Sequence, residues 1–323
     1  MTADRGQIPR RPWYVACCLE RMTKPWFVSL AMTAACTGSD VPPAASSAEA
    51  SSSGRPDTGQ SVARVASRDG TPIAFEKIGH GEALVIVGGA LSDRSGAKPL
   101  AAALGDHFTV YIYDRRGRGQ SGDTKPYSVD REIEDLEAII ERSGDRARVY
   151  GVSSGAALAL QAAVKLPSKV VKLAVYEPPY GQDPGAYDRQ KVNVNRIVEA
   201  GQPGDAAEFF LAEIGTPPEA IDGMKRSPDW KRMAKIDFTL AYDYAVLGDG
   251  QVPEVVAQIS APTLVMDGEK SMPFIRPSAD RLAELIPSSR RKTLAGQTHQ
   301  AKPEAVAPVL IEFFSSSQPT ASR

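Results

Sequence analysis

Cysteine is nearly missing from this chain, and the three that occur, Cys17, Cys18 and Cys36, all fall before the part that reads as globular. That distribution excludes a thiolate nucleophile, a cysteine metal site and core disulfides from the rest of the sequence. Histidine is as scarce: His80, His107 and His299 lie far apart, none with a second histidine at ligand spacing. No histidine-based metal site is expected, and no cofactor. An excess of either charge is also absent, with 38 Lys and Arg against 39 Asp and Glu and a net charge of −1. Without a basic face to neutralise phosphates, nucleic acid is excluded as a partner. Nor does any apolar run reach the length of a permanent membrane span. What is present, 42% hydrophobic and 24% charged residues over 323 positions, suits one large core plus an insertion. Hydroxyls, carboxylates and one or more histidines are left to carry chemistry.

The first sixty residues follow a different regime. Lys24 precedes the apolar stretch Trp26 to Met32, which runs through Thr33-Ala34-Ala35 into Cys36. This resembles the signal peptide and lipobox of a bacterial lipoprotein, with Thr33 where leucine is usual and with Met22 as an alternative start. It implies an exported chain tethered to a membrane through Cys36, the alternative being a cytoplasmic protein with a long N-terminus. Residues 37–60, rich in Ser, Ala, Pro and Gly, bury too little to order themselves and read as a linker.

From Ser61 the pattern alternates. Ser61 to Arg68 and Thr71 to Ile78 form an expected hairpin around Asp69-Gly70; Ala83 to Val87 and Phe108 to Tyr113 read as buried strands, with a helix over Lys98 to Leu104 between them. Asp130 to Arg142 has helical periodicity and an acidic first turn. Val170 to Tyr176 is a further strand, running into Glu177-Pro178-Pro179. After residue 250 the alternation resumes: Pro262 to Asp267 strand, Ile275 to Ile286 helix, Arg290 to Leu294 strand, Pro303 to Phe314 helix. The expected fold class is α/β, a mostly parallel twisted sheet with helices on both faces, which binds ligands at the carboxyl ends of its strands.

Two motifs sit at such ends. In Arg148 to Leu160 an apolar run enters Gly151-Val152-Ser153-Ser154-Gly155 and an Ala/Leu-rich helix leaves it, the G-x-S-x-G spacing of a serine on a strained strand-to-helix turn. Such a turn exposes Ser153 Oγ and aims the Ser154 N–H at the reacting group. Gly88-Gly89 ends another strand and lets the N–H of Ala90 or Leu91 approach as a second donor; it lacks the lysine of a phosphate-binding loop. Gly117 to Gly122 spells G-x-G-x-x-G, but Asp123-Thr124-Lys125-Pro126 breaks a helix where a dinucleotide site would open one.

Together, Val85 to Ala90, Tyr113 to Ser121, Gly151 to Gly155 and Gly296-Gln297-Thr298-His299 resemble, in order, the oxyanion turn, the D-x-R-G-x-G-x-S loop, the nucleophile elbow and the terminal histidine loop of the α/β-hydrolase superfamily. The likeness spans Ser61 to Phe314. It implies a hydrolase core over 61–182 and 251–315, a helical cap over 183–250, and a short disordered tail at 316–323. Helices are expected in the cap at Gly185 to Ala200, Asp205 to Ile214, Pro218 to Lys225 and Trp230 to Tyr244, with aromatic and methionine side chains forming either a pocket wall or plain cap core. It further implies acylation of Ser153 by an ester or similar acyl substrate, small and partly apolar, with His299 as general base and the Ala90 and Ser154 N–H groups as oxyanion hole. C–C hydrolases and perhydrolases share this arrangement, and a cap-gated binding protein with vestigial turnover is the alternative from another class. His80 and His107 read as surface residues.

The acid is where this sequence departs from the family. The usual aspartate falls three residues after Gly268, at Ser271, which carries no carboxylate. Glu177, at the end of the strand after the nucleophile helix and braced by two prolines, is the expected replacement, with Asp267 and Glu269 as rivals.

Overall fold

The computed structural model describes residues 62–316. The lipobox expected at Cys36 and the linker expected after it lie outside the described residues, as does the expected tail beyond 316. Among the described residues no helix is long and apolar enough to cross a membrane.

Eight strands form one sheet in the order β1-β2-β4-β3-β5-β6-β7-β8. The hairpin at the edge is β1 (Ala63–Ala66) and β2 (Pro72–Ile78), and β2 also runs antiparallel to β4 (Phe108–Tyr113). The others, β3 (Glu82–Val87), β5 (Ala147–Val152), β6 (Val170–Tyr176), β7 (Thr263–Gly268) and β8 (Ser289–Leu294), are parallel to their neighbours. Strand alternation sorts the side chains onto the two faces. Leu84, Ile86, Val110, Ile112, Ala174 and Tyr176 pack with α1 (Lys98–Leu104) and α10 (Pro303–Ser315). Val85, Val87, Tyr111, Val149, Leu173 and Val265 pack against α2 (Val129–Gly144), α3 (Ser154–Lys165) and α9 (Ile275–Leu285). With both faces covered, β3 is buried along its last four residues, each contributing roughly 1.5–3 kcal/mol of apolar burial.

The chain passes from β3 to β4 on one side and then returns across β3 to β5 on the other, so the strand order reverses at β3. The crevice beyond the carboxyl ends of β3 and β5 is therefore the topological switch point, where such sheets bind ligands.

Between β6 and β7 the chain inserts five helices: α4 (Pro184–Ala200), α5 (Asp205–Glu213), α6 (Pro218–Lys225), α7 (Pro228–Ile236) and α8 (Leu240–Leu247). Sequence periodicity predicts a single helix over Trp230 to Tyr244, but the chain breaks at Asp237 into a short 3-10 turn. Asp237 is buried, and its carboxylate accepts from the backbone N–H of Gly204 (2.8 Å) and Ala207 (3.4 Å), capping α5. Tyr242 and Tyr244 are buried and Phe209, Phe210 and Met233 half-buried, whereas Met224 is exposed.

Candidate active site

Ser153 follows β5 directly and occupies φ 57°, ψ −130°, a conformation unfavourable for a residue with a Cβ. Neighbouring glycines allow it. A Cβ on Gly155 would come within 2.4 Å of the Val87 and Gly88 carbonyl oxygens, and one on Gly89 within 2.9 Å of Ser153 Cβ. Only bare backbone brings the β3 turn and the elbow into contact. Two further residues with side chains have positive φ at the ends of central strands: Leu91 at 53° and Glu177 at 50°. Each such residue stores on the order of 1–3 kcal/mol. The last non-glycine of this kind, Asp145, only terminates α2.

His299 reaches the elbow from the loop between β8 and α10. Its Nε2 lies 3.0 Å from Ser153 Oγ and its Nδ1 2.7 Å from Glu177 Oε2. The histidine loop is tied down beside it, since Tyr176 Oη donates to the Thr298 carbonyl (2.5 Å) and Lys270 N–H to that of Gln297 (2.8 Å). Glu177 is wholly buried while the His299 side chain is 30% exposed, so the carboxylate is sealed behind the ring and the ring opens onto the cleft. The other oxygen of Glu177, Oε1, accepts from the Gly268 N–H at 2.5 Å and from the Ser271 hydroxyl.

The rival carboxylates face elsewhere. Asp267 shares the Val265 side of β7, the face covered by α9, where Arg291 Nη1 donates to it at 2.7 Å and Arg276 stands 3.5 Å away. Burial raises that carboxyl, but the arginines and the Thr293 hydroxyl outweigh burial and hold it below the usual range. Glu269 accepts from the Gly296 N–H at 2.7 Å and so braces the turn that carries the histidine. His80 and His107 are exposed and apart from the site.

Sequence reasoning missed a buried ionic cluster beneath the site. Arg115, Arg116 and Arg118, from the loop after β4, are all at most 2% exposed. Arg116 forms a two-pronged pair with Asp135 (2.9 and 2.7 Å), and Arg115 forms one with Glu132 (2.7 and 2.9 Å). Asp243, from α8 of the insertion, accepts from Arg115 (2.8 Å), from Arg118 (2.8 and 2.9 Å) and from the Ser154 hydroxyl (2.7 Å). The one signal was the density of arginine in Asp114 to Arg118, too much charge for a plain glycine turn. Among the described residues no three His, Cys, Asp or Glu side chains converge as a metal site.

Residues 80–309 match the alpha/beta hydrolase family. The chain belongs to that family. An alpha/beta hydrolase from Sphaerobacter thermophilus is similar at 50% identity, covering 78% of this chain and all of that one with a TM-score of 0.72. A thermophilic esterase from Thermogutta terrifontis, solved with malate bound, shares the fold at 21% identity and a TM-score of 0.64, over 79% of this chain and 98% of that one. Among curated relatives, the N-formylmaleamate deformylase of Pseudomonas putida is 32% identical over 141 residues, 42% of this chain; the match spans about half, 53%, of the deformylase.

Proposed function

We propose that this member of the family is a serine hydrolase that cleaves a small ester or similar acyl substrate through an acyl-enzyme on Ser153. The observation that carries the reading is the unbroken line from Ser153 Oγ through the His299 ring to Glu177, with contacts of 3.0 and 2.7 Å. In this reading His299 Nε2 takes the serine proton as Oγ attacks the acyl carbon, and Glu177 fixes the ring and stabilises the imidazolium. The oxygen of the tetrahedral intermediate, now negative, is held by the Ala90 N–H in the turn after β3 and by the Ser154 N–H at the start of α3. Collapse returns the proton from His299 to the leaving group; water, deprotonated by the same ring, then releases the acid.

Acyl transfer on serine suits the wider set of similar proteins, which includes an esterase, an enol-lactonase and a deformylase. The helices at 183–250 are read as a cap setting which acyl groups enter, and export with a lipid anchor on Cys36 remains the proposal for the N-terminus. A panel of p-nitrophenyl esters from acetate to decanoate tests the function. Turnover favouring the short chains supports it, whereas no turnover of any ester or amide by protein that binds the same compounds supports a receptor.

A further inference from the structure

The buried cluster under the elbow has a definite relation to both oxyanion donors. The Gly89 carbonyl accepts from Arg118 Nη1 at 2.5 Å and from Ser92 Oγ at 2.7 Å. The Gly89–Ala90 peptide is trans, the cis bond among the described residues being Lys125–Pro126. In a trans peptide C=O and N–H point in opposite directions, so a guanidinium that fixes the Gly89 oxygen also fixes the Ala90 N–H, aiming it away from the guanidinium. A charged donor on the carbonyl further polarises the amide and makes its N–H a better donor. Arg118 is itself held by Asp243, which also takes the hydroxyl of Ser154, the residue whose N–H is the other donor. Arg115 completes the arrangement, reaching the Gly88 carbonyl at 3.3 Å while pairing with Asp243 and Glu132.

We infer that Arg118, locked by Asp243, is the positioning residue of the oxyanion hole, and that α8 of the insertion is thereby part of the catalytic apparatus as well as of the cap. Neither side chain touches substrate. Arg118 acts through the Gly89–Ala90 peptide, and Asp243 acts through Arg118 and the Ser154 side chain. The inference rests on the serine-hydrolase reading above, because an oxyanion hole has a use only there. It goes beyond that reading in assigning a role to a cap residue that the triad does not involve.

The experiment compares the full-length wild type with Arg118→Met, Arg118→Lys and Asp243→Asn, each checked for native circular dichroism and counted by titration of reactive serine with a fluorophosphonate. p-Nitrophenyl acetate reports kcat and KM per titrated site, and an alkyl trifluoromethyl ketone, whose hemiketal places an oxyanion in the hole, reports transition-state affinity. Arg118→Met is expected to lower kcat by about 10²-fold with KM nearly unchanged, and to weaken the ketone by a similar factor. The acid limb of the kcat profile should stay where it is in wild type. Arg118→Lys should recover part of the loss, since one ammonium can serve the Gly89 carbonyl but lacks the second, rigidly placed nitrogen with which the guanidinium holds both oxygens of Asp243 at the same time. Variants with normal kcat per titrated site, losing only the number of titratable sites or thermal stability, would overturn the inference and leave the cluster a structural one. If wild type neither turns over ester nor reacts with the fluorophosphonate, the serine-hydrolase reading fails separately. The amide resonance of Ala90 then decides the positioning role: it moves in Arg118→Met if the peptide depends on the guanidinium, and its staying in place overturns the inference.

Discussion

Ser271 donates its hydroxyl to Oε1 of Glu177, the oxygen turned away from His299. The position three residues after Gly268, where the resemblance puts an aspartate, here supports the proposed acid at the end of the neighbouring strand. Glu177 is thus held by three donors, the Gly268 N–H and the Ser271 hydroxyl on one oxygen and the His299 ring on the other. A buried carboxylate with all its partners in place is fixed in orientation, as the ring it faces requires.

Glu177→Gln is accordingly expected to leave the fold intact and lower kcat by up to ~10⁴-fold, by loss of the correct imidazole orientation and of imidazolium stabilisation. Glu269→Gln should change kcat far less. Asp267→Asn should lower thermal stability, by leaving Arg291 with a weaker buried partner, more than it lowers kcat. Ester kinetics and melting curves on the three proteins check this, and a collapse of kcat in Asp267→Asn alone would move the acid to β7.

Ser271→Asp tests the relation between the two strands directly. Combined with Glu177→Gln it should regain at least about tenfold of the lost kcat, because it restores a carboxylate beside the same ring from the adjacent strand. In a wild-type background the same change sets two carboxylates in contact and should lower activity by raising the pKa of one of them. Measurement of kcat in the single and double variants decides it; no recovery in the double variant would show that the position on β6 alone supports the ring.

The buried ionic cluster predicts a pH dependence of stability. Burial raises the Asp243 carboxyl, but the charges of Arg118 and Arg115 and the Ser154 hydroxyl outweigh it, so the folded group titrates below its ordinary range. A carboxylate with a depressed folded pKa stabilises the fold at pH above its unfolded value, about 3.9, and that contribution is lost as pH falls through the lower folded value. The melting temperature of Asp243→Asn should therefore lie below that of wild type by a constant margin from about pH 6 to 8. The margin should shrink on acidification below about pH 4. A margin that widens in acid would contradict the assignment.

Much of the fold was legible because it is local. The hairpin at Asp69-Gly70, the helix Lys98–Leu104 and the strand Val170–Tyr176 are each written in a few consecutive residues, and the structure has them where the pattern puts them. Ser153 and His299, which the structure brings to 3.0 Å of each other, each stand out as a single letter in a recognisable turn. What could not be read locally depends on partners far along the chain. The break at Asp237 answers the free end of a helix that begins 32 residues earlier, at Asp205. Asp243 meets Arg118 across 125 positions, and the proposed choice of Glu177 over Asp267 depends on Asp267 facing the arginines on its side of β7 while Glu177, after β6, meets the His299 ring.

That break also gives a prediction. Asp237→Ala removes the cap of α5 and should cost about 1 kcal/mol of stability. Because the helix belongs to the insertion and not to the proposed triad, KM for longer acyl chains should rise more than kcat falls. Equal loss of kcat for all chain lengths would argue that α5 supports the chemistry rather than the choice of substrate.

The most direct test of the account is the site of covalent reaction. Protein exposed to a fluorophosphonate and mapped by fragmentation mass spectrometry should carry one adduct, on Ser153 and not on Ser154. Ser153→Ala should carry none and should lose ester turnover while keeping its circular dichroism spectrum. An adduct on another residue, or substantial turnover by purified Ser153→Ala, would contradict a nucleophile at this elbow.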